Sequence, residues 1–176
     1  MARRRQLVVG LLRALVVATV LVAIYFLVPL DRLATIPLEL TLTVGLLVLA
    51  TVATYQVMAI TRSEHPAVRA VEALAAIVPL LLLLFATMYF LMAEADADNF
   101  GAETLTRTDS LYFAVTVFTT VGFGDITATS QAARLLVTTQ MMLNLLVLGI
   151  GIRVLVGAVQ IGRQKTTSST PADADS

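Results

Sequence analysis

Cysteine and tryptophan are absent, histidine occurs once, and only 14% of the 176 residues carry a charge. Without cysteine there is no disulfide framework and no thiolate metal site. Without tryptophan, any belt at a membrane–water interface must rest on tyrosine and other residues. Twelve basic residues balance twelve acidic ones, so the total charge points to no nucleic-acid partner. Also missing are a His/Cys cluster, a phosphate-binding glycine loop and a nucleophile with a nearby base, so no enzyme chemistry is evident.

Apolar sequence is what the chain has in abundance. It is 58% hydrophobic with a mean hydropathy of +0.88, against roughly 45–50% apolar residues in a soluble domain. The excess lies in four runs, Leu7–Val28, Leu38–Ile60, Ala70–Met92 and Leu135–Val159. Each reaches the about 20 residues that cross a bilayer. The fold class expected is an all-α membrane protein with four transmembrane helices. A basic head before an apolar run can mark a cleaved signal. Here the run is about 22 residues, beyond a signal core, and no clear cleavage site follows.

Basic residues set the orientation. Arg3, Arg4, Arg5 and Arg13 precede or enter the first run, Arg62 and Arg69 flank the second connection, and Arg153, Arg163 and Lys165 sit at or beyond the last run. The remaining connections hold Arg32, Arg107 and Arg134 with acids alongside. The positive-inside rule then puts both termini and the middle connection in the cytoplasm, for a multi-pass protein of the cell membrane.

Residues 1–66 carry two helices, 67–162 a second pair with an insertion, and 163–176 a Thr/Ser/Ala/Asp-rich tail expected to be disordered. Within 67–162, Glu94–Arg107 reads as an irregular acidic turret. Thr108 or Asp109 caps a short helix over Ser110–Phe118. Thr119-Thr120-Val121-Gly122-Phe123-Gly124-Asp125 follows, then a polar connection, and Gln131 starts the last helix. Gly122 and Gly124 let the backbone reach positive φ without steric cost, which turns successive carbonyls to one side. Irregular backbone at membrane depth is tolerated only inside protein or beside water, and Ser110–Phe118 would supply that support.

Thr120–Gly124 resembles the selectivity filter of potassium channels, with Phe123 where the family has tyrosine. Ala70–Val159, about half the chain, resembles their pore module of helix, re-entrant pore helix, filter and helix. The resemblance implies K⁺ sites at the carbonyls of Thr120, Val121, Gly122 and Phe123, with the Thr120 hydroxyl lowest and Gly124 closing the loop. It implies no cofactor beyond K⁺ ions in the filter. Val121 and Phe123 would pack behind the loop, and Thr116, Thr119, Tyr112 and Asp125 would support it. One chain carries one loop, so the expected assembly is a fourfold homotetramer, whose other partners are the lipid bilayer and K⁺. Phe123 lacks the supporting hydroxyl, Tyr112 and Phe113 replace tryptophans, and Thr116 replaces a glutamate. These departures imply different filter stability and inactivation rather than lost selectivity.

Asn144 interrupts the last apolar run, with Gln140 one turn earlier on the same face. Asn144 either rings the pore or hydrogen-bonds a neighbouring helix. Gln140, Asn144 and Leu148 are the pore-lining candidates. Gly149 and Gly151 are flexion points or close-packing points. Glu72 and Arg153 either pair at an inner gate or snorkel separately. Glu94, Asp96, Asp98 and Glu103 either concentrate cations outside the filter or are a solvated, salt-screened loop. Asp125 suits structural hydrogen bonding to the pore helix. His65 is a pH sensor or incidental. The first two helices lack the arginine ladder of a voltage sensor, and they brace the pore, bind lipid or carry an unrecognised stimulus.

Selective potassium conduction is the function this implies. A poorly selective cation channel and a non-conducting modulatory subunit are the alternatives. An inverted-repeat transporter would need paired broken helices, which the sequence lacks.

Overall fold

The computed structural model describes residues 2–28, 37–61, 66–101 and 105–167. Five α-helices order the chain: α1 Ala2–Leu27, α2 Leu38–Thr61, α3 Pro66–Ala95, α4 Arg107–Phe118 and α5 Gln131–Thr167. A 3₁₀ turn, Ala97–Asn99, follows α3. Among the described residues no strand forms, and one isolated antiparallel bridge joins Phe100 to Ala128.

Among the described residues, three helices are long and apolar enough to cross a membrane, over Leu38–Gln56, Glu72–Ala95 and Gln131–Gly149. This marks a membrane protein. Four such spans were expected. Among the described residues, α1 adds the shorter apolar stretch Leu15–Leu27.

Helix α3 is the hub, and α1, α2, α4 and α5 all pack on it. Its Leu81, Phe85, Ala86, Met88 and Tyr89 are fully buried. Small residues bring partners close. A Cβ on Gly45 would lie 2.2 Å from Leu84 Cδ1, so the Leu84 side chain of α3 packs directly on the α2 backbone there. Pro79 sits inside α3, a position tolerated in a packed membrane helix whose neighbours re-satisfy the freed backbone. An aromatic cluster ties α3 to α4. Tyr89 and Phe113 meet edge to face at 5.0 Å, and Phe100 lies 5.7 and 5.8 Å from those two rings.

Helix α4 starts three residues earlier than the sequence suggested, and neither Thr108 nor Asp109 is its N-cap. Thr106 is the cap. Its hydroxyl oxygen accepts from Asp109 N at 3.2 Å, and the Asp109 carboxylate accepts from Thr106 N at 3.0 Å. A reciprocal capping box satisfies two otherwise orphaned donors, which a cap at Thr108 would not do.

Helix α5 runs to Thr167, past the point near Gly162 where disorder was expected, so 163–167 belong to the helix and not to the tail. The rest of that tail, with His65, Glu103 and most of the connection between α1 and α2, lies outside the described residues.

Candidate functional site

The carbonyl of Thr116, in the last turns of α4, organises the segment that follows it. Val121 N and Gly122 N both donate to this one oxygen, at 3.1 and 3.4 Å. Among the described residues no peptide bond is cis, and in a trans peptide the carbonyl points opposite to the N–H. The carbonyls of Thr120 and Val121 therefore both face away from Thr116 and away from α4. In an ordinary strand consecutive carbonyls point to opposite sides.

The dihedrals explain the departure. Thr120, Gly122 and Gly124 have φ of 59°, 53° and 81°, while Val121 and Phe123 between them stay outside that region. A left-handed residue at every second position gathers N–H groups on one side and leaves carbonyls on the other. Nothing lies within 4 Å of a Cβ built on Gly122 or Gly124, so the need for glycine there is conformational. At Thr120 the same region costs roughly 1–2 kcal/mol.

The turn into the segment is firmly held. Thr119 N and the Thr119 hydroxyl both donate to Val115 O, at 2.9 and 2.8 Å, and Thr120 N donates to Val117 O at 3.2 Å. The end of a helix bears about half an elementary negative charge, and here that end meets the start of the carbonyl row. Thr116 is buried, with its hydroxyl donating to Phe113 O at 2.8 Å.

Tyr112 holds the far end. Its hydroxyl donates to Asp125 Oδ2 at 2.8 Å, and its ring stacks on Phe123 with centroids 6.3 Å apart and planes 5° from parallel. Asp125 also accepts from Ile126 N at 3.0 Å. Val121 is 54% exposed.

Gln140 does not line a pore. It is completely buried between α3, α4 and α5. Its amide nitrogen donates to Ala114 O at 2.9 Å and its carbonyl oxygen accepts from the Tyr89 hydroxyl. A primary amide buried in an apolar bundle is stable only with such partners, and here they come from α3 and α4. Asn144 is also buried, and its amide nitrogen reaches Val117 O at 3.5 Å while Oδ1 has no partner. Of its two readings, contact with a neighbouring helix is the one seen. Both amides therefore grip the backbone of α4 from behind.

Leu148 is exposed. A Cβ on Gly149 would meet open space, whereas one on Gly151 would come 3.2 Å from Leu74, so Gly151 is a packing point on α3. Glu72 sets its carboxylate against α1, where a Cβ on Gly10 would approach its Oε1 to 2.5 Å. The Arg153 side chain, and with it the suggested pair, lies outside the described residues. Glu94, Asp96 and Asp98 are exposed.

Asn99 was missed. It is buried, and its amide donates to Met92 O and Asp96 O at 2.9 and 3.0 Å while its Oδ1 accepts from Ser130 Oγ at 2.6 Å. Ser130 Oγ in turn accepts from Ala133 N at 3.1 Å. This amide joins the end of α3 to the start of α5 and so fixes where the carbonyl segment leaves. An amide beside Phe100 in a stretch of carboxylates was the only signal.

Residues 77–160 match the family model described as "Ion channel", just under half of the chain, and the match supports ion-channel activity for this segment. Comparison with curated proteins and with solved structures finds no match.

Proposed function

We propose that the chain conducts potassium ions selectively and passively through a homotetrameric pore of the cell membrane. In this reading α1, α2, α3 and α5 cross the bilayer, α4 is the re-entrant pore helix, and both termini are cytoplasmic. Four copies of Thr120–Gly124 meet about a common axis, and their carbonyls replace the water around K⁺. The observation that carries the reading is the shared Thr116 acceptor, which turns the Thr120 and Val121 carbonyls to one side. The alternating φ of Thr120, Gly122 and Gly124 and the ion-channel match support it.

Selection rests on geometry. A ring of oxygens fixed from behind coordinates one size of dehydrated cation. Here the fixing comes from Thr116 within α4, from Gln140 and Asn144 on α5, and from Tyr112 at the outer end. Purified protein in planar bilayers with mixed K⁺ and Na⁺ gradients tests the proposal. A reversal potential near that of K⁺ is expected, and equal permeability overturns selectivity. A chain that stays monomeric yet conducts overturns the assembly.

One observation favours a second reading, a less selective cation channel. Phe123 has no hydroxyl and is held within its subunit only by stacking on Tyr112. The same recording separates the two.

A further inference from the structure

Arg107 is the first residue of α4, where its charge meets the positive end of the helix dipole, an unfavourable place. The guanidinium instead crosses to α1. Nη1 donates to the carbonyl oxygens of Val28, Phe26 and Tyr25 at 2.8, 3.1 and 3.5 Å. The last carbonyls of a helix have no partner within it and carry the negative end of the dipole, so this contact is favourable in charge and in hydrogen bonding. The Tyr25 hydroxyl returns it, donating to Arg107 O at 2.9 Å. Tyr25 is buried, and the guanidinium also lies over the Phe90 ring of α3 at 5.5 Å. The side chain of each residue thus holds the backbone of the other's helix.

Helix α4 is consequently fastened to α1 at its first residue and to α5 at Ala114 and Val117, and its Thr116 carbonyl holds Val121 and Gly122. A single short helix links three fastenings. We propose that Arg107 is a positioning residue for the filter, and that with Tyr25 it couples the place of α1 in the membrane to the hold on Val121 and Gly122. The proposal rests on the reading of Thr120–Gly124 as a filter and gives α1 a task within it. Displacement of α1 moves the start of α4 and loosens or tightens the carbonyl row at its end.

Hydrogen–deuterium exchange of the full chain in lipid nanodiscs tests this. The variants are Arg107→Ala, Arg107→Lys and Tyr25→Phe, with Gly45→Ala as a control that disturbs the α2–α3 contact and leaves α1 and α4 untouched. In Arg107→Ala the Val121 and Gly122 amides should exchange at least about fivefold faster, the lower end of coupling between linked sites. Tyr25→Phe should move them the same way by less. Arg107→Lys should fall between, because an ammonium keeps the charge without the planar fork. Gly45→Ala should lower thermal stability and leave these amides as they are.

Exchange that rises at Ile24–Val28 but not at Val121 and Gly122, in Arg107→Ala and Tyr25→Phe, overturns the proposal and makes the clamp a purely structural tie. Should Arg107→Ala fail to fold, the two milder variants decide by the same criterion. The wild-type reversal potential is recorded alongside. Absence of K⁺ preference there overturns the channel reading alone, since amide exchange reports the coupling whichever ion passes.

Discussion

The Tyr112 hydroxyl donates to Asp125 Oδ2 across 2.8 Å while its ring lies parallel to Phe123. One side chain therefore holds both the backbone bend after the carbonyl row and the aromatic ring within it.

Tyr112→Phe removes the hydrogen bond and keeps the stack. A small loss of stability is expected, because the exposed hydrogen bond competes with water, read from thermal unfolding in K⁺. Conduction should persist. Tyr112→Ala removes both contacts and should cost more and reduce the K⁺/Na⁺ permeability ratio. If the alanine variant is no worse than the phenylalanine one, the stack contributes nothing.

Gly122→Ala meets no steric obstacle in the subunit, yet it must hold φ 53°. The strain is about 1–2 kcal/mol for each chain, and a relaxed backbone would turn the Val121 carbonyl. Potassium flux into liposomes should fall to background while circular dichroism shows unchanged helix. Flux at the wild-type level would argue against any need for the left-handed conformation.

Gln140 joins Tyr89 to Ala114, so Gln140→Leu strands a buried hydroxyl and breaks the amide's hold on α4. Each stranded polar group costs about 1–3 kcal/mol. Tyr89→Phe added to Gln140→Leu should restore part of the loss, giving a non-additive cycle in denaturant unfolding. Strict additivity would mean the two side chains do not act together.

Asn144→Asp separates a buried residue from a pore-facing one. A carboxylate in the same place would face the Val117 carbonyl oxygen with no proton to offer, and an unpaired buried charge is strongly unfavourable. The expected outcome is lower thermal stability with block by internal polyvalent cations unchanged. Markedly stronger block would return Asn144 to the pore wall.

The helices were legible because hydropathy runs of bilayer length leave little choice, and Gly122 and Gly124 announced the unusual backbone. What escaped is polar and tertiary. Gln140 and Asn144 share a helical face, which the spacing showed, but which neighbour that face meets depends on how α3, α4 and α5 pack. The α4 cap shifted to Thr106 because Thr-x-x-Asp closes a reciprocal box, a local pattern present in the sequence but passed over for the nearer Thr108. Arg107 reads as one basic residue in an acidic loop, and only the arrival of the end of α1 reveals its use. Asn99 joins segments 31 residues apart, beyond the reach of any local pattern.

Thr120 is the one described non-glycine residue with positive φ, and a glycine in its place would relax that backbone while deleting a hydroxyl from the row of oxygens. Breeding this protein for heat tolerance alone would thus favour the very replacement that, in the proposed filter, removes the innermost oxygen. In that reading a durable chain and a discriminating one are different optima at this position.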